Sequence, residues 1–275
     1  MYLQEQTRDK ILKIVLMECI EQKAEDLTNM DMGCTYMFNN RKTDQLKLMY
    51  DVFLRVDTTL RYVIQKMDPF IMQEGKSIIN NEELRKEPIK FTLKLLELKS
   101  EMDNMISKSF SNDMRFQKAR DVAFQNFMNE FDRTPQYIAL YMDNELKRGF
   151  SQLNEDVIER RIEAVIKLFC CLLGRDIFIQ QYSNLLANRL LNKTSVSDDA
   201  EQRMIQQLQV ECGHNTVSKM KTMFADVLKS QQIVREFRDS MCQGNDFVND
   251  IQFNVEILTS GHWPFQETPL CTIPP

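Results

Sequence analysis

The sequence predicts a mainly α-helical protein, and three observations carry that prediction. Apolar residues recur every three to four positions through most of the 275 residues. The polar breaks between these runs are short and hold the residue types that start and stop helices. The period changes to two only near the end, over Ile251–Leu258, where Ile251, Phe253, Val255 and Ile257 alternate with Gln252, Asn254 and Glu256.

Residues 2–27 read as one helix with Leu12, Val15, Leu16, Cys19 and Ile20 inward. A polar link at Asn39–Arg41 precedes a strong helical period over 44–73, carried by Leu46, Met49, Phe53, Val56, Leu60, Val63, Met67 and Ile71. Pro69 is expected to kink or interrupt this helix, and 75–86 reads as a polar link. Pro88 suits a first turn; Phe91, Leu95, Leu98, Met102 and Met105 follow it. Phe116, Ala123, Phe127 and Phe131 mark another helix. Thr134-Pro135 opens one that Gly149 closes, so 1–152 supplies five helices. From Asn154 a new helix carries Val157, Ile162, Val165 and Phe169.

The stretch Leu168–Asp226 then reads as a bundle of amphipathic helices. Asp176 is expected to cap a helix with Ile177, Tyr182, Leu185, Leu186 and Leu190 inward. Asp198, three residues before Glu201, has the spacing of a capping box; Met204, Ile205 and Leu208 follow, and Gly213 suits a helix end. Val217, Met220, Phe224, Val227 and Leu228 mark the last stripe. The expected bundle core is Phe169, Tyr182, Leu186, Leu190, Met204, Leu208 and Phe224.

Composition narrows the function. Hydrophobic residues at 43%, a charged fraction of 27% and seven glycines describe a folded chain with a real core. The net charge of −5 offers nothing to nucleic acid. The longest purely apolar run, Leu168–Leu173, is far short of a membrane span, and no secretory signal pattern stands at the start. Seven cysteines without paired spacing read as reduced thiols, which suits the cytoplasm and nucleus.

No reacting constellation emerges. Gly75-Lys76-Ser77 resembles the end of a phosphate loop, but Phe70 stands where the loop needs glycine and no strand precedes it. There is no C-x-x-C pair, and His214 and His262 are the only imidazoles, so core thiols outweigh a metal site. Cys212 and His214 flank a helix end, where a buried thiol and a loop histidine are simpler than a nucleophile and base. Asp198 and Asp199 complement a helix dipole more simply than they form an acid–base pair. The methionine stripes have core spacing. Trp263, beside Pro264, reads either as a packing anchor or as a partner contact. The expectation is no catalytic residue, no metal and no cofactor.

The motifs RDIFIQQY, LANRLL, SVSDDAEQRMI, ECG and SKMKTMFAD, in that order and spacing, resemble the cullin homology region. NKTSVSDDAE and TPLCTIPP look most like the cullin-3 branch, and MYDVFLRV, EGKSII and SFSNDMRF extend the likeness through nearly the whole chain. The resemblance implies a five-helix cullin repeat over 1–152, the last of the family's tandem repeats; a helical bundle over 153–240; and the start of an α/β domain over 241–275, with one or two terminal strands.

It further implies a non-catalytic scaffold subunit of a cullin-RING ubiquitin ligase, which holds a substrate adaptor apart from a RING-box protein and, through it, a ubiquitin-conjugating enzyme (E2). Asn254, Val255, Glu256, Ile257 and Leu258 are the implied strand-pairing candidates for the RING-box protein. The adaptor-binding first repeat, which takes a BTB-type adaptor, and the terminal winged-helix domain with its modifier-accepting lysine are expected outside this chain. RING-box binding is accordingly expected to be impaired in the chain alone. Ser183, Leu185 and Asn188 stand where the family commonly has basic side chains, while Arg189 remains. The rival reading is a degenerate or truncated cullin-like interaction module.

Overall fold

The computed structural model describes residues 5–242 and 255–265. Among the described residues the regular structure is helical: α1 (Glu5–Leu16), α2 (Ala24–Asn29), α3 (Cys34–Asn39), α4 (Thr43–Phe53), α5 (Leu60–Ile79), α6 (Pro88–Phe110), α7 (Met114–Met128), α8 (Thr134–Asn144), α9 (Glu155–Cys170), α10 (Arg175–Asn192), α11 (Asp198–Cys212) and α12 (His214–Cys242). None of these is long and apolar enough to cross a membrane. The chain divides into two compact units, 1–134 with Cys171–Leu173, and 135–170 with 174–275.

In the first unit α5 packs on α7 and α3, and α4 packs on α6. Phe38 stacks on Phe70 with ring centroids 5.5 Å apart, Phe110 on Phe116 at 4.0 Å, and Tyr50 meets both Phe110 and Phe116 edge-on. Phe38, Phe110 and Phe116 are inaccessible to solvent. Asp113 caps α7, accepting the Arg115 N–H at 2.8 Å, and also accepts the Tyr50 hydroxyl at 3.1 Å. Gly75 lies inside α5, where an added Cβ would stand 2.4 Å from the Phe127 ring. A helix-packing contact, not a phosphate loop, therefore accounts for this glycine.

Several sequence expectations shift. The single helix over 2–27 ends at Leu16, passes through a π turn at Met17–Glu21 and resumes at Ala24. Its expected inward residues Leu12 and Val15 are 58% and 49% exposed, and Cys19 is also exposed. A period of 3.6 identifies an apolar face; it does not supply the element that covers it.

The helix expected over 44–73 breaks after Phe53. The buried Thr59 hydroxyl lies 3.1 Å from the carbonyl of Phe53, the last residue of α4, and 2.8 Å from that of Val56 in the link beyond it. Pro69, by contrast, does not stop α5, which continues to Ile79. Burial of Phe70, Ile71, Gly75 and Ile79 beyond it outweighs one missing helical hydrogen bond.

In the second unit α11 packs on α9 and α12, and α10 packs on α12 and α9. Phe169, Tyr182, Leu186, Met204 and Leu208 are fully buried, Leu190 is 5% exposed and Phe224 8%. Tyr182, Leu186 and Leu190 of α10 face inward as expected, but the first turn buries Phe178 in place of Ile177, which is 39% exposed, and Leu185 is half-buried. Leu228, also expected inward, is exposed. Gly174, not Asp176, stands at the N-cap of α10. Ser197, not Asp198, caps α11, its hydroxyl accepting the Ala200 N–H at 3.3 Å. Gly213 closes α11 with φ of +83°.

Candidate functional site

The second unit holds a buried charge network and, along α12, a docked non-helical segment.

The network centres on Arg189. Its Nε and Nη2 donate to the two carboxylate oxygens of Glu201 at 2.6 and 2.9 Å, and Nη1 donates to Asp143 Oδ1 at 2.6 Å. Ser195 and Tyr182 hydroxyls also donate to Glu201, at 2.6 and 3.3 Å, and the Arg189 guanidinium faces the Tyr182 ring. Burial opposes the charge on Arg189, but Glu201 and Asp143 outweigh it and hold the guanidinium protonated. Burial, aided by the Glu201 charge, pushes the Tyr182 phenol well above its ordinary range.

The network joins α8, α10, α11 and the 193–197 connection. Arg189, the basic side chain that remains in this stretch, is thus one half of a buried bidentate ion pair and is not exposed to solvent. Glu201 turns inward instead of closing a capping box. Arg189 and Glu201 are twelve residues apart, so no local spacing pairs them.

The second feature is the segment 255–265. Asp226 on α12 accepts three hydrogen bonds from it: Thr259 N–H at 2.8 Å, Thr259 hydroxyl at 2.7 Å and Trp263 Nε1–H at 2.9 Å. Burial raises the Asp226 carboxyl, but the Trp263 and Thr259 donors outweigh it and hold the group below its usual range. One helical turn on, the buried Ser230 hydroxyl accepts the Ile257 N–H at 2.7 Å and donates to the Ile257 carbonyl at 3.4 Å. Glu256 pairs with Lys193 at 3.2 Å. Trp263, 8% exposed, is a packing anchor in this structure.

Val255, Glu256, Ile257 and Leu258 form no strand ladder among the described residues, and Asn254 lies outside them. The terminal sheet expected from the alternation falls mostly on residues outside the described set.

Between α10, the start of α12 and the 262–264 turn lies a cavity of about 690 Å³. Arg175 and Lys219 line it, together with the neutral Gln180, Ser183 and Asn184 and the apolar Trp263. Asn188 is exposed. Cys212 also lines the cavity; burial pushes its thiol up, away from the thiolate a nucleophile requires. Among the described residues no group of three or more His, Cys, Asp or Glu is placed to hold a metal ion.

Sequence reasoning missed Asp143, Ser195, Asp226 and Ser230. The signal available for the last two was a short polar pair, four residues apart, on the face that carries Met223 and Val227.

Comparison with known proteins places this arrangement. The family model described as the cullin alpha solenoid domain matches residues 1–234. Cullin-3A of Arabidopsis thaliana is 33% identical over 99% of this chain and 37% of its own length. Cullin-3 of Dictyostelium discoideum is 32% identical, over 99% and 36%, and cullin-3 of Caenorhabditis elegans 27%, over 96% and 35%. The chain therefore spans just over a third of the length of these relatives.

Proposed function

The chain belongs to the cullin family, and from that premise we propose that it is scaffold in a cullin-RING ubiquitin ligase, serving ubiquitin-dependent protein degradation in the cytoplasm and nucleus. One observation carries the reading: likeness to cullin-3 proteins, at 32–33% identity, runs across 99% of the chain. A scaffold works by holding bound proteins at a fixed distance and orientation, which continuous helical cores suit.

In this reading the first unit extends the family's helical repeats towards a BTB-type substrate adaptor bound elsewhere in the longer protein. The second unit carries the bundle and the 254–258 segment towards a RING-box protein, which brings the conjugating enzyme. The chain itself performs no chemistry. A subsidiary point follows from the family resemblance: with Ser183, Leu185 and Asn188 uncharged, this stretch of α10 steers an acidic partner weakly. That feature also supports the second reading, a degenerate cullin-like interaction module.

Affinity purification of the chain from cells, followed by mass spectrometry, tests the proposal. A RING-box protein among the stable partners supports it. Stable partners of other kinds without a RING-box protein overturn it in favour of the interaction module.

A further inference from the structure

The main chain of residues 255–259 is already used on one side. Ile257 N–H and C=O both lie within 3.4 Å of a single atom, Ser230 Oγ. Both therefore point to the same edge, as they do in extended backbone. Two residues on, Thr259 N–H points the same way, to Asp226.

The register is consistent. Four residues of helix, from Asp226 to Ser230, rise ~6 Å, and two residues of extended chain, from Ile257 to Thr259, span ~6.6 Å. The segment runs antiparallel to α12 with alternate residues facing the helix. Glu256 and Leu258, by the same alternation, present N–H and C=O to the opposite edge. Among the described residues no hydrogen bond takes either of those N–H groups.

We infer that this segment offers a partner's extended strand only the edge carried by the Glu256 and Leu258 main chain, because Ser230 and Asp226 occupy the Ile257–Thr259 edge. The inference rests on the reading that residues 254–258 pair with a RING-box strand, and it fixes which edge and which amides that strand takes. Both edges cannot serve unless the segment first leaves α12. Ile257 and Leu258, 50% and 37% exposed, give such a strand apolar neighbours.

Amide hydrogen exchange at single-residue resolution, on the whole chain with and without purified RING-box protein, tests this. In the free chain, Ile257 and Thr259 should exchange at least tenfold more slowly than Glu256 and Leu258. With the RING-box protein bound, Glu256 and Leu258 should slow at least tenfold while the other two change little. Leu258→Pro, which deletes one offered N–H, should weaken binding at least tenfold; Leu258→Ala, which keeps it, should stay within threefold of the native Kd. Binding that protects Ile257 and Thr259 but leaves Glu256 and Leu258 fast overturns the assignment. If the RING-box protein does not bind at all, the reading that residues 254–258 of this chain pair with its strand fails. The free-chain pattern then still decides the edge: slow Ile257 and Thr259 beside fast Glu256 and Leu258 uphold it, and any other order overturns it.

Discussion

Arg189 and Glu201 form a two-bond ion pair, 2.6 and 2.9 Å long, in which neither side chain reaches solvent. Removing one partner strands the other's charge in the core, which costs on the order of 3–5 kcal/mol. Arg189→Met and Glu201→Leu should each destabilise the second unit by that amount, read from urea melts. The double variant should recover at least half of the loss, since it leaves neither charge of the pair buried alone. A double variant as unstable as the sum of the singles would show that the pair contributes by packing alone.

Gly75 faces the Phe127 ring with no room for a methyl group. Gly75→Ala should destabilise the first unit by about 1–3 kcal/mol through overpacking, despite alanine's better helix propensity. Adding Phe127→Leu should return part of the loss in a thermal melt. A Gly75→Ala protein as stable as the native one would place α5 and α7 further apart than described.

Phe169 and Leu186 are fully buried, while Asn188, on the same helix as Leu186, is exposed. Phe169→Ala and Leu186→Ala should each cost roughly 2–5 kcal/mol; Asn188→Ala should stay within about 0.5 kcal/mol. Equal urea midpoints for all three would mean that the inward faces are misassigned.

Burial raises the Cys34 thiol to about 12, with Lys66 pulling the other way. An unfolded thiol ionises near ~8.5. The folded form therefore binds the extra proton between these values, and its contribution is complete below ~8.5 and is lost as pH rises towards 12. The native protein should lose stability over that window by up to ~1.4 kcal/mol per pH unit from this group. Cys34→Ala should show a correspondingly shallower decline in urea melts from pH 8.5 to 10.5. Parallel declines would show that Cys34 ionises as readily folded as unfolded.

The helical class was legible because apolar periodicity is a local signal, and so were residues such as Leu186, Met204 and Phe91, whose spacing alone places them inward. What failed was decided by groups distant in sequence or by competing local bonds. Ile177 lost its place to Phe178 because Phe178 lies between Phe169 and Tyr182, at 4.9 and 5.9 Å, a contact no window reveals. Thr59 broke a helix that its neighbours' pattern favoured. Glu201 looked like a cap because its partner Arg189 lies on another helix. The exposed stripe of Leu12 and Val15 shows the converse: a face can be read from sequence, its occupant cannot.

The anchor of the 255–265 segment should be visible in light. Trp263 is the chain's one tryptophan, so its emission reports this contact alone. Its indole N–H and two Thr259 donors converge on the Asp226 carboxylate, whose titration is held below the usual range. A depressed carboxyl stabilises the docked segment above the unfolded value of ~3.9 and loses that effect as pH falls through its own lower value. Emission should therefore stay blue and weakly quenched by acrylamide at pH 7, and shift red in acid below about pH 4. Asp226→Asn presents one acceptor oxygen and one NH₂ where three donors converge. It should show the red shift and stronger quenching already at pH 7, with the helical circular dichroism of the native chain. If Asp226→Asn and native protein quench alike at pH 7, the carboxylate does not hold Trp263, and packing against the cavity wall does.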